Sequence, residues 1–253
     1  MKKISNGWLA TIIIATVIIL DQATKIYVKT HFFLGETVDV ASWFKVTFIE
    51  NNGMAYGMEL GSKTVLTWLR IIFSGLFIYY LVKIRQRTDL PRGFVVCVAL
   101  ITAGAIGNVI DCIAYGQLFN DPMPPEVAQF LPSEGGYASI FNGKVVDMLQ
   151  FPLAEWYWPE WMPWIGGKHY LFFQPIFNVA DSCLTTSILA IIIFYNKHLL
   201  SDKKTGEQED EKTGEQENKK TREQEDKKTR RQENEKTGEQ EDEKTREQED
   251  EKH

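Results

Sequence analysis

Four long apolar segments constrain this chain more than any other feature of its sequence. They run over residues 8–28, 64–82, 94–113 and 171–195. A helix needs about 20 predominantly apolar residues to cross the hydrocarbon core of a bilayer. We therefore predict an α-helical integral membrane protein with four transmembrane helices. An even number of spans puts both termini on the same side of the membrane.

The first segment has an alternative interpretation as a cleavable signal peptide. Met1, Lys2 and Lys3 provide a basic start, and the apolar run that follows is short. However, the run is followed by Asp-Gln-Ala-Thr-Lys and not by the small-residue pattern that signal peptidases cleave. We interpret residues 8–28 as a retained membrane anchor.

Basic residues predict that both termini are cytoplasmic. They precede the first segment, fill the link between the second and third, and follow the fourth, at Lys2, Lys3, Lys83, Arg85, Arg87, Arg92, Lys197, Lys203 and Lys204. Positively charged residues concentrate in cytoplasmic loops. The connections over 29–63 and 114–170 hold only five basic residues and are predicted to be external.

The two external connections differ in character. The first alternates β-branched and aromatic residues over 37–50 and ends in the turn signal Asn51-Asn52-Gly53, so we predict a small external β-rich element there. The second is rich in Pro, Trp and Gly, which suits a loop insertion at the level of the lipid headgroups.

The C-terminal region is a separate, low-complexity domain. Residues 204–251 are six octads of the type Lys-Thr-Gly-Glu-Gln-Glu-Asp-Glu and contain no aliphatic or aromatic residue. Together with Lys252, these repeats carry the whole net charge of −6. We predict a four-helix membrane domain over 1–200 and a disordered, charged cytoplasmic tail over 201–253. The apolar character of residues 1–203 argues against a nucleic-acid-binding body.

Carboxylates from three spans are predicted to lie at one level. Asp21 and Lys25 end the first span, Asn108 and Asp111 end the third, and Asn178 and Asp181 begin the fourth; Asp147 precedes the fourth between apolar neighbours. Ionisable groups at membrane depth are costly and usually mark a functional site. Each aspartate taken singly has a structural alternative, as a helix cap or as an ion-pair partner of Lys25.

Two close carboxylates in a semi-dry pocket favour hydrolysis. They share one proton, so that one can activate a water molecule while the other polarises a carbonyl. Position alone does not identify which two of the four aspartates form the pair. The spacing of Asn178 and Asp181 predicts that they share one helix face, where the amide orients a carboxylate or a substrate carbonyl, or else bonds a backbone carbonyl across the bundle. Neither a metal-ligand cluster nor a nucleophilic triad is evident, so we predict no metal or other cofactor.

Five motifs, in order, resemble the lipoprotein signal peptidase family, also called signal peptidase II. The resemblance spans about residues 20–197. The motifs are DQATK (21–25), NNGMAYG (51–57), GAIGNVID (104–111), VVDMLQF (145–151) and FNVADS (177–182). The family consists of four-span aspartyl proteases of the bacterial inner membrane.

The resemblance implies that Asp147 and Asp181 are the catalytic aspartates. It implies a supporting or substrate-contacting role for a second set of residues, namely Asp21, Lys25, Asn51, Gly53, Asn108, Asp111 and Asn178. The implied substrate is a prolipoprotein carrying a diacylglyceryl-modified cysteine, cleaved on the amino side of that cysteine, and the implied partners are such substrates and membrane lipids. We expect the active site near the external face and the protein to be a monomer.

Three features depart from the family pattern. Cys112 stands where the family has an arginine after the third-span aspartate, so either another cation substitutes or substrate affinity differs. Residues 119–143 form an insertion, which is either a lid or a passive loop. The octad tail is the third departure, and we interpret it as a solvated appendage.

Two other classes of function compete with the protease. A small ion-coupled carrier would use intramembrane carboxylates to bind protons or a cation, and Arg70 inside the second span suits it better. It also predicts polar residues spread through the bilayer midplane, which are not evident. A non-catalytic scaffold would rely on close glycine contacts, but Gly104 and Gly107 are explained by helix packing beside Asn108.

Overall fold

The computed structural model describes residues 4–53, 63–87 and 89–198. The octad repeats and the second half of the NNGMAYG motif lie outside the described residues. The long helices are α1 (Asn6–His31), α2 (Lys63–Ile84), α3 (Arg92–Ile110) and α5 (Val179–Phe194). A π-helical segment (Asp111–Tyr115) and a short helix α4 (Gly116–Leu118) continue α3.

Three of these helical segments are long and apolar enough to cross a membrane. They are Asn6–His31, Lys63–Ile84 and Arg92–Leu118. Their outer faces expose large apolar side chains such as Trp8, Ile19 and Tyr79, each more than three-fifths accessible. Such surfaces are costly in water and suit contact with lipid. The first three predicted spans are confirmed as apolar helices.

The predicted start of the fourth span is wrong. Residues 169–177 contain two strands, and α5 begins only at Val179. Pro175 lacks a backbone N–H and favours extended backbone before it, which keeps the helix from starting earlier. The resulting apolar helix has 16 residues and a length of about 24 Å, shorter than the others.

A four-stranded antiparallel sheet carries part of the polar cluster. It contains β1 (Thr37–Ala41), β2 (Phe44–Asn51), β3 (Val145–Gln150) and β6 (Ile176–Phe177), in the order β1-β2-β3-β6. The predicted strands over 37–50 are confirmed. The sequence interpretation missed β3 and β6, because a six-residue and a two-residue strand give little periodicity of their own.

A second, two-stranded sheet pairs β4 (Ala154–Tyr157) with β5 (His169–Phe172). Its tip exposes Trp161 and Trp164 almost fully. The insertion over 119–143 packs on the first sheet and on α1 through Phe119 and Ala128, which belong to a buried cluster with Val28 and Phe48.

Helix α3 packs against α1, α2 and α5. Glycines allow the closest of these approaches: a Cβ at Gly104 would collide with the Ala180 carbonyl oxygen, and one at Gly107 would lie 2.7 Å from Asp21 Oδ2. The small residues therefore serve helix packing, as the sequence predicted, and bring the polar ends of α1, α3 and α5 together.

Candidate active site

Strand pairing places Asp147 beside the start of α5. Asp147 lies in the middle of β3, and β3 pairs with β6 through Leu149 and Phe177. Asn178 follows β6 directly and caps α5. The polypeptide therefore passes from the strand next to Asp147 into the first turn of the helix that carries Asp181.

Asn178 is the N-cap of α5 and not part of a helix face, so the predicted shared face with Asp181 is wrong. Its backbone is extended, and its Oδ1 accepts a hydrogen bond of 2.8 Å from the Asp181 backbone amide. Asparagine is among the preferred N-cap residues because its side-chain oxygen satisfies a free helix amide. The cap leaves the side-chain NH2 group available for other acceptors.

Two side-chain amides connect the two aspartates. Asn178 Nδ2 donates to Asp147 Oδ1 at 2.7 Å and to Asn108 Oδ1 at 3.1 Å. Asn108 Nδ2 donates in turn to Asp181 Oδ1 at 2.7 Å. Asp147 and Asp181 are thus held by one continuous hydrogen-bond chain with residues from three elements.

The two aspartates have unequal environments. Asp147 is 2% exposed, whereas Asp181 is half-buried. Burial and, to a smaller extent, the nearby Asp181 carboxylate raise the pKa of Asp147 to about 7, against hydrogen bonds from Asn51 and Asn178 that favour its charged form. Unequal carboxyls of this kind suit a shared proton that resides on the more buried member.

A fully buried ion cluster lies beneath this pair. Lys25 Nζ is 2.8 Å from both Asp21 Oδ2 and Asp111 Oδ2, and none of the three side chains is exposed. Lys25 Nζ also donates to Asn108 Oδ1 at 3.0 Å. The lysine is therefore enclosed by acceptors and does not extend to the membrane surface, and it anchors the amide that contacts Asp181.

Each carboxylate of the cluster also holds the backbone next to one member of the pair. Asp21 Oδ1 accepts from the Ala180 amide at 2.9 Å, and Asp111 Oδ2 accepts from the Val146 amide at 3.3 Å. Ala180 precedes Asp181, and Val146 precedes Asp147. Asp21 and Asp111 thus fix where the other two aspartates lie.

Asn51 contacts the pair from the end of β2. Its Nδ2 lies 3.4 Å from Asp147 Oδ2, and its Oδ1 accepts from the Gly53 amide at 2.7 Å. Gly53 has a φ of +92°, which favours glycine, and a Cβ there would collide with Leu66. All nine residues singled out in the sequence therefore lie in, or directly support, one hydrogen-bonded cluster.

The sequence interpretation missed Gln22 and Tyr115. Gln22 Nε2 donates to Asp111 Oδ1 at 2.9 Å and lies 3.2 Å from Asp21 Oδ2, while Tyr115 OH donates to Gln22 Oε1 at 3.1 Å. Gln22 stands inside the DQATK motif, so a signal for it was present. Tyr115 lies in the π-helical segment and carries no such signal.

The Cys112 departure has a structural counterpart. Arg70, on α2, directs Nη1 to Cys112 Sγ at 3.0 Å. A cation from another helix therefore occupies the space beside Cys112. From the sequence, Arg70 was identified only as a charged residue inside the second predicted span. Cys112 itself is buried, and the part of the chain that is described contains no group of three His, Cys, Asp or Glu side chains suited to a metal ion.

Comparisons with known proteins agree with this geometry. The family model described as signal peptidase (SPase) II matches residues 13–197. The chain is 42% identical over 208 residues to the lipoprotein signal peptidase of Porphyromonas gingivalis, covering 81% of this chain and 92% of that protein. It is 32% identical over 183 residues to the lipoprotein signal peptidase of Amoebophilus asiaticus, covering 70% and 72%.

A solved structure is also similar. A bacterial membrane enzyme determined by the in meso method at 2.3 Å resolution superimposes with a TM-score of 0.51 and 26% identity, covering 80% of this chain and 94% of that chain.

Proposed function

The chain belongs to the signal peptidase II family, and from this premise we propose that Asp147 and Asp181 are the catalytic pair of a membrane aspartyl protease. Members of the family remove signal peptides from prolipoproteins, and this protein is such a protease. The carrier and scaffold alternatives are therefore wrong. The observation that supports the choice of aspartates is the amide chain from Asp147 through Asn178 and Asn108 to Asp181.

The unequal burial suggests a role for each aspartate. Half-buried Asp181, as carboxylate, removes a proton from a water molecule whose oxygen attacks the scissile carbonyl carbon. Buried Asp147, with its raised pKa, donates its proton to the carbonyl oxygen. The carbon–nitrogen bond then breaks as Asp181 passes its proton to the leaving amine and Asp147 recovers one from the tetrahedral intermediate. Protons and charge balance over the cycle.

The other cluster residues position this pair. Asn178 holds Oδ1 of Asp147 and Asn108 holds Oδ1 of Asp181, while Asn51 Nδ2 lies 3.4 Å from Oδ2 of Asp147. Asp21, Lys25 and Asp111 fix the backbone on which the aspartates stand. Asn51 and Gly53 border the pair from the sheet side and are candidates for contact with the substrate backbone. Preorganised groups of this kind lower a barrier because they need not reorient during the reaction.

The substrate proposal follows the family. We infer cleavage on the amino side of a cysteine that bears a diacylglyceryl group. The lipid chains would lie in the bilayer beside the apolar helices, and the scissile bond would then stand at the membrane boundary, at the level of the polar cluster.

The membrane topology of the chain is proposed from its apolar helices together with the distribution of its basic residues. The protein is a multi-pass membrane protein. We propose that α5 is a fourth span, that both termini are cytoplasmic and that the sheet and aspartates face the outside of the bacterial inner membrane. Exposed Trp161 and Trp164 suit insertion at the headgroups. We further propose a monomer with a membrane domain over 1–200 and a solvated tail over 201–253.

The test compares cleavage of one prolipoprotein with and without its diacylglyceryl group. Purified protein in lipid is assayed by gel shift as wild type, Asp147→Asn and Asp181→Asn. Asp39→Asn is the matched control, since this carboxylate is exposed on β1 of the same sheet. We expect wild type and Asp39→Asn to cleave only the lipidated form and the other two to cleave neither. Full cleavage by either catalytic variant would refute the assignment of the pair.

A further inference from the structure

A large cavity opens near the chain start and extends along α3 as far as Ile106, the residue before Gly107. Its volume is about 1230 Å³, and it is bordered by the first half of α1, by the last turns of α2 with the residues that follow them, and by α3 between Arg92 and Ile106. Helices α1 and α2 both pack on α3, and α3 contributes Thr102 and Ile106 to the lining. The cavity is therefore a groove between two helices with the third as its floor.

The groove is basic at one end and apolar along its length. Arg85, Arg87 and Arg92 lie at the end near the chain start, whereas Ile14, Ile78 and Ile106 line the deeper part. Arg92 and Ile106 are separated by 14 residues of α3, so the groove extends about 21 Å along the helix axis. An elongated apolar groove with a cationic end is complementary to a lipid that has an acidic headgroup joined to an acyl chain.

We propose that this groove binds an anionic phospholipid, with its phosphate at the arginines and an acyl chain along α3. Basic pockets between transmembrane helices on the cytoplasmic side are suited to acidic headgroups. The charge also argues against a substrate signal peptide as the occupant, because the basic start of such a peptide would meet three arginines.

The arginines differ in their availability for a ligand. Arg87 pairs with Asp89 at 2.6 Å, and Arg92 Nη2 donates to the Ile4 carbonyl at 2.7 Å, which ties α3 to the start of α1. Arg85 directly follows the last residue of α2, is exposed, and lies along Gly7 of α1. Arg85 is therefore the residue whose removal tests headgroup binding with the least damage to the fold.

The experiment measures lipid binding to the purified full chain by native mass spectrometry. Phosphatidylglycerol and phosphatidylcholine with identical acyl chains are compared, and inorganic phosphate is added in a separate series. We expect tighter binding of phosphatidylglycerol and a loss of about fivefold in Arg85→Gln, the usual contribution of one cation near a charged lipid. Lys83→Gln is the matched control two residues earlier in the chain, since Lys83 is also an exposed cation but does not line the groove.

A second pair of variants tests the acyl part. Thr11 is exposed and lines the groove, whereas Ile12 is exposed on the same helix and does not. Thr11→Trp should reduce phosphatidylglycerol binding, and Ile12→Trp should leave it unchanged. Equal binding of both lipids, displacement by inorganic phosphate alone, or unchanged binding in Arg85→Gln and Thr11→Trp would overturn the proposal. A raised KM for prolipoprotein in Thr11→Trp with unchanged lipid binding would instead identify the groove as a substrate site.

A separate observation concerns Arg70. Its guanidinium is half-buried within α2, contacts Cys112 directly after Asp111, and lies 3.7 Å from the position that a Cβ on Gly53 would occupy. It therefore stands between two segments of the catalytic cluster. A guanidinium has five N–H donors and stays charged, and a thiol is only a weak acceptor for one of them.

We infer that Arg70 binds backbone carbonyl oxygens of the substrate peptide beside the Asn51–Gly53 turn. This inference rests on the proposed protease site. Arg70, on α2, would then supply the cation that the family has at the position of Cys112. Because a hydrogen bond from a charged donor contributes more than one between neutral groups, we expect Arg70→Gln to lower kcat/KM by about 10- to 100-fold.

Kinetics distinguish binding from a structural role. Arg70→Gln should raise KM while the thermal midpoint stays near that of wild type, and Arg70→Lys should recover part of the loss. Lys83→Gln, which removes a cation of α2 that does not line the groove, serves as the control. Unchanged KM and kcat in Arg70→Gln, or a lower thermal midpoint with unchanged kinetics, would overturn the role. Cleavage by Asp147→Asn would instead refute the catalytic pair, and a raised KM in Arg70→Gln would still support contact of Arg70 with the substrate.

Discussion

The side chains of Asn108 and Asn178 meet at 3.1 Å, and each donates to a different aspartate. Asn108 comes from α3 and Asn178 from the start of α5. Their contact sets the relative position of Asp147 and Asp181, although these aspartates stand on a strand and a helix. The amide pair is thus a spacer that holds two carboxyls in one polar cluster.

Asn178 has two roles that substitution can separate. Asn178→Ser keeps a side-chain oxygen for the cap but loses the NH2 group, so we expect near-normal stability and a kcat lowered by about 10²- to 10³-fold, as for loss of a preorganised donor. Asn178→Ala should lose the same activity and also about 1 kcal/mol of stability. Thermal unfolding in detergent and single-turnover cleavage measure the two effects. Normal kcat in Asn178→Ser would contradict a catalytic role for the bridge.

The pH dependence should report the protonation of Asp147. Its pKa is raised to about 7, so the proton needed by the carbonyl oxygen is present below that pH and lost above it. We expect kcat/KM to fall as the pH rises through about 7. Asn51→Ala removes a hydrogen bond that favours the charged form, which should shift this fall to higher pH.

Asn52→Ala is the control for the pH series, because Asn52 is the exposed neighbour of Asn51. Its profile should match that of wild type. A fall at the same pH in wild type and Asn51→Ala would argue against Asp147 as the titrating group.

The same pKa predicts a pH-dependent stability. A carboxyl whose folded-state pKa exceeds its unfolded value stabilises the fold fully below the unfolded pKa, and this contribution is lost as the pH rises through the folded pKa. For a pKa raised from its ordinary value of 3.8 to about 7, the loss of folding stability is at most about 4 kcal/mol. Asp147→Asn has no such proton to lose. Its thermal midpoint should therefore exceed that of wild type at pH 8 by more than at pH 5.

Lys25 should be essential for folding stability. Its removal leaves the buried carboxylates of Asp21 and Asp111 without a cation, and breaking a buried pair in this way typically costs about 3–5 kcal/mol. We expect Lys25→Met to lower the thermal midpoint strongly. Lys45→Gln removes a solvent-accessible pair with Asp39 and should cost about 1 kcal/mol or less. Similar midpoints in the two variants would show that the buried cluster does not stabilise the protein.

Two glycines make a matched test of helix packing. A Cβ at Gly107 would lie 2.7 Å from Asp21 Oδ2 and 3.2 Å from the Ala180 Cβ, whereas one at Gly75 meets no atom within 4 Å. Gly107→Ala should lower both stability and activity, because it displaces the carboxylate that holds Ala180. Gly75→Ala should be neutral or stabilise α2 by about 0.5–1 kcal/mol. Cleavage rate and thermal midpoint of both variants give the comparison.

The sequence by itself determined the first three apolar helices, the first two strands and most residues of the polar cluster. Span length, alternation and short motifs are local properties, so residues such as Asp21 and Asp181 could be singled out without coordinates. The motifs also led to the correct family.

Only the tertiary structure decided what each of these residues contacts. Asp21 holds the amide of Ala180, 159 residues away, and Asn178 reaches Asn108 across 70 residues. The late start of α5 and the cap at Asn178 depend on pairing of β6 with β3, which the apolar run over 171–195 conceals. Hydropathy indicates whether a segment prefers an apolar or an aqueous environment. Hydrogen-bond partners depend instead on which segments meet after folding. The role of Arg70 beside Cys112 emerges for the same reason from the packing of α2 on α3.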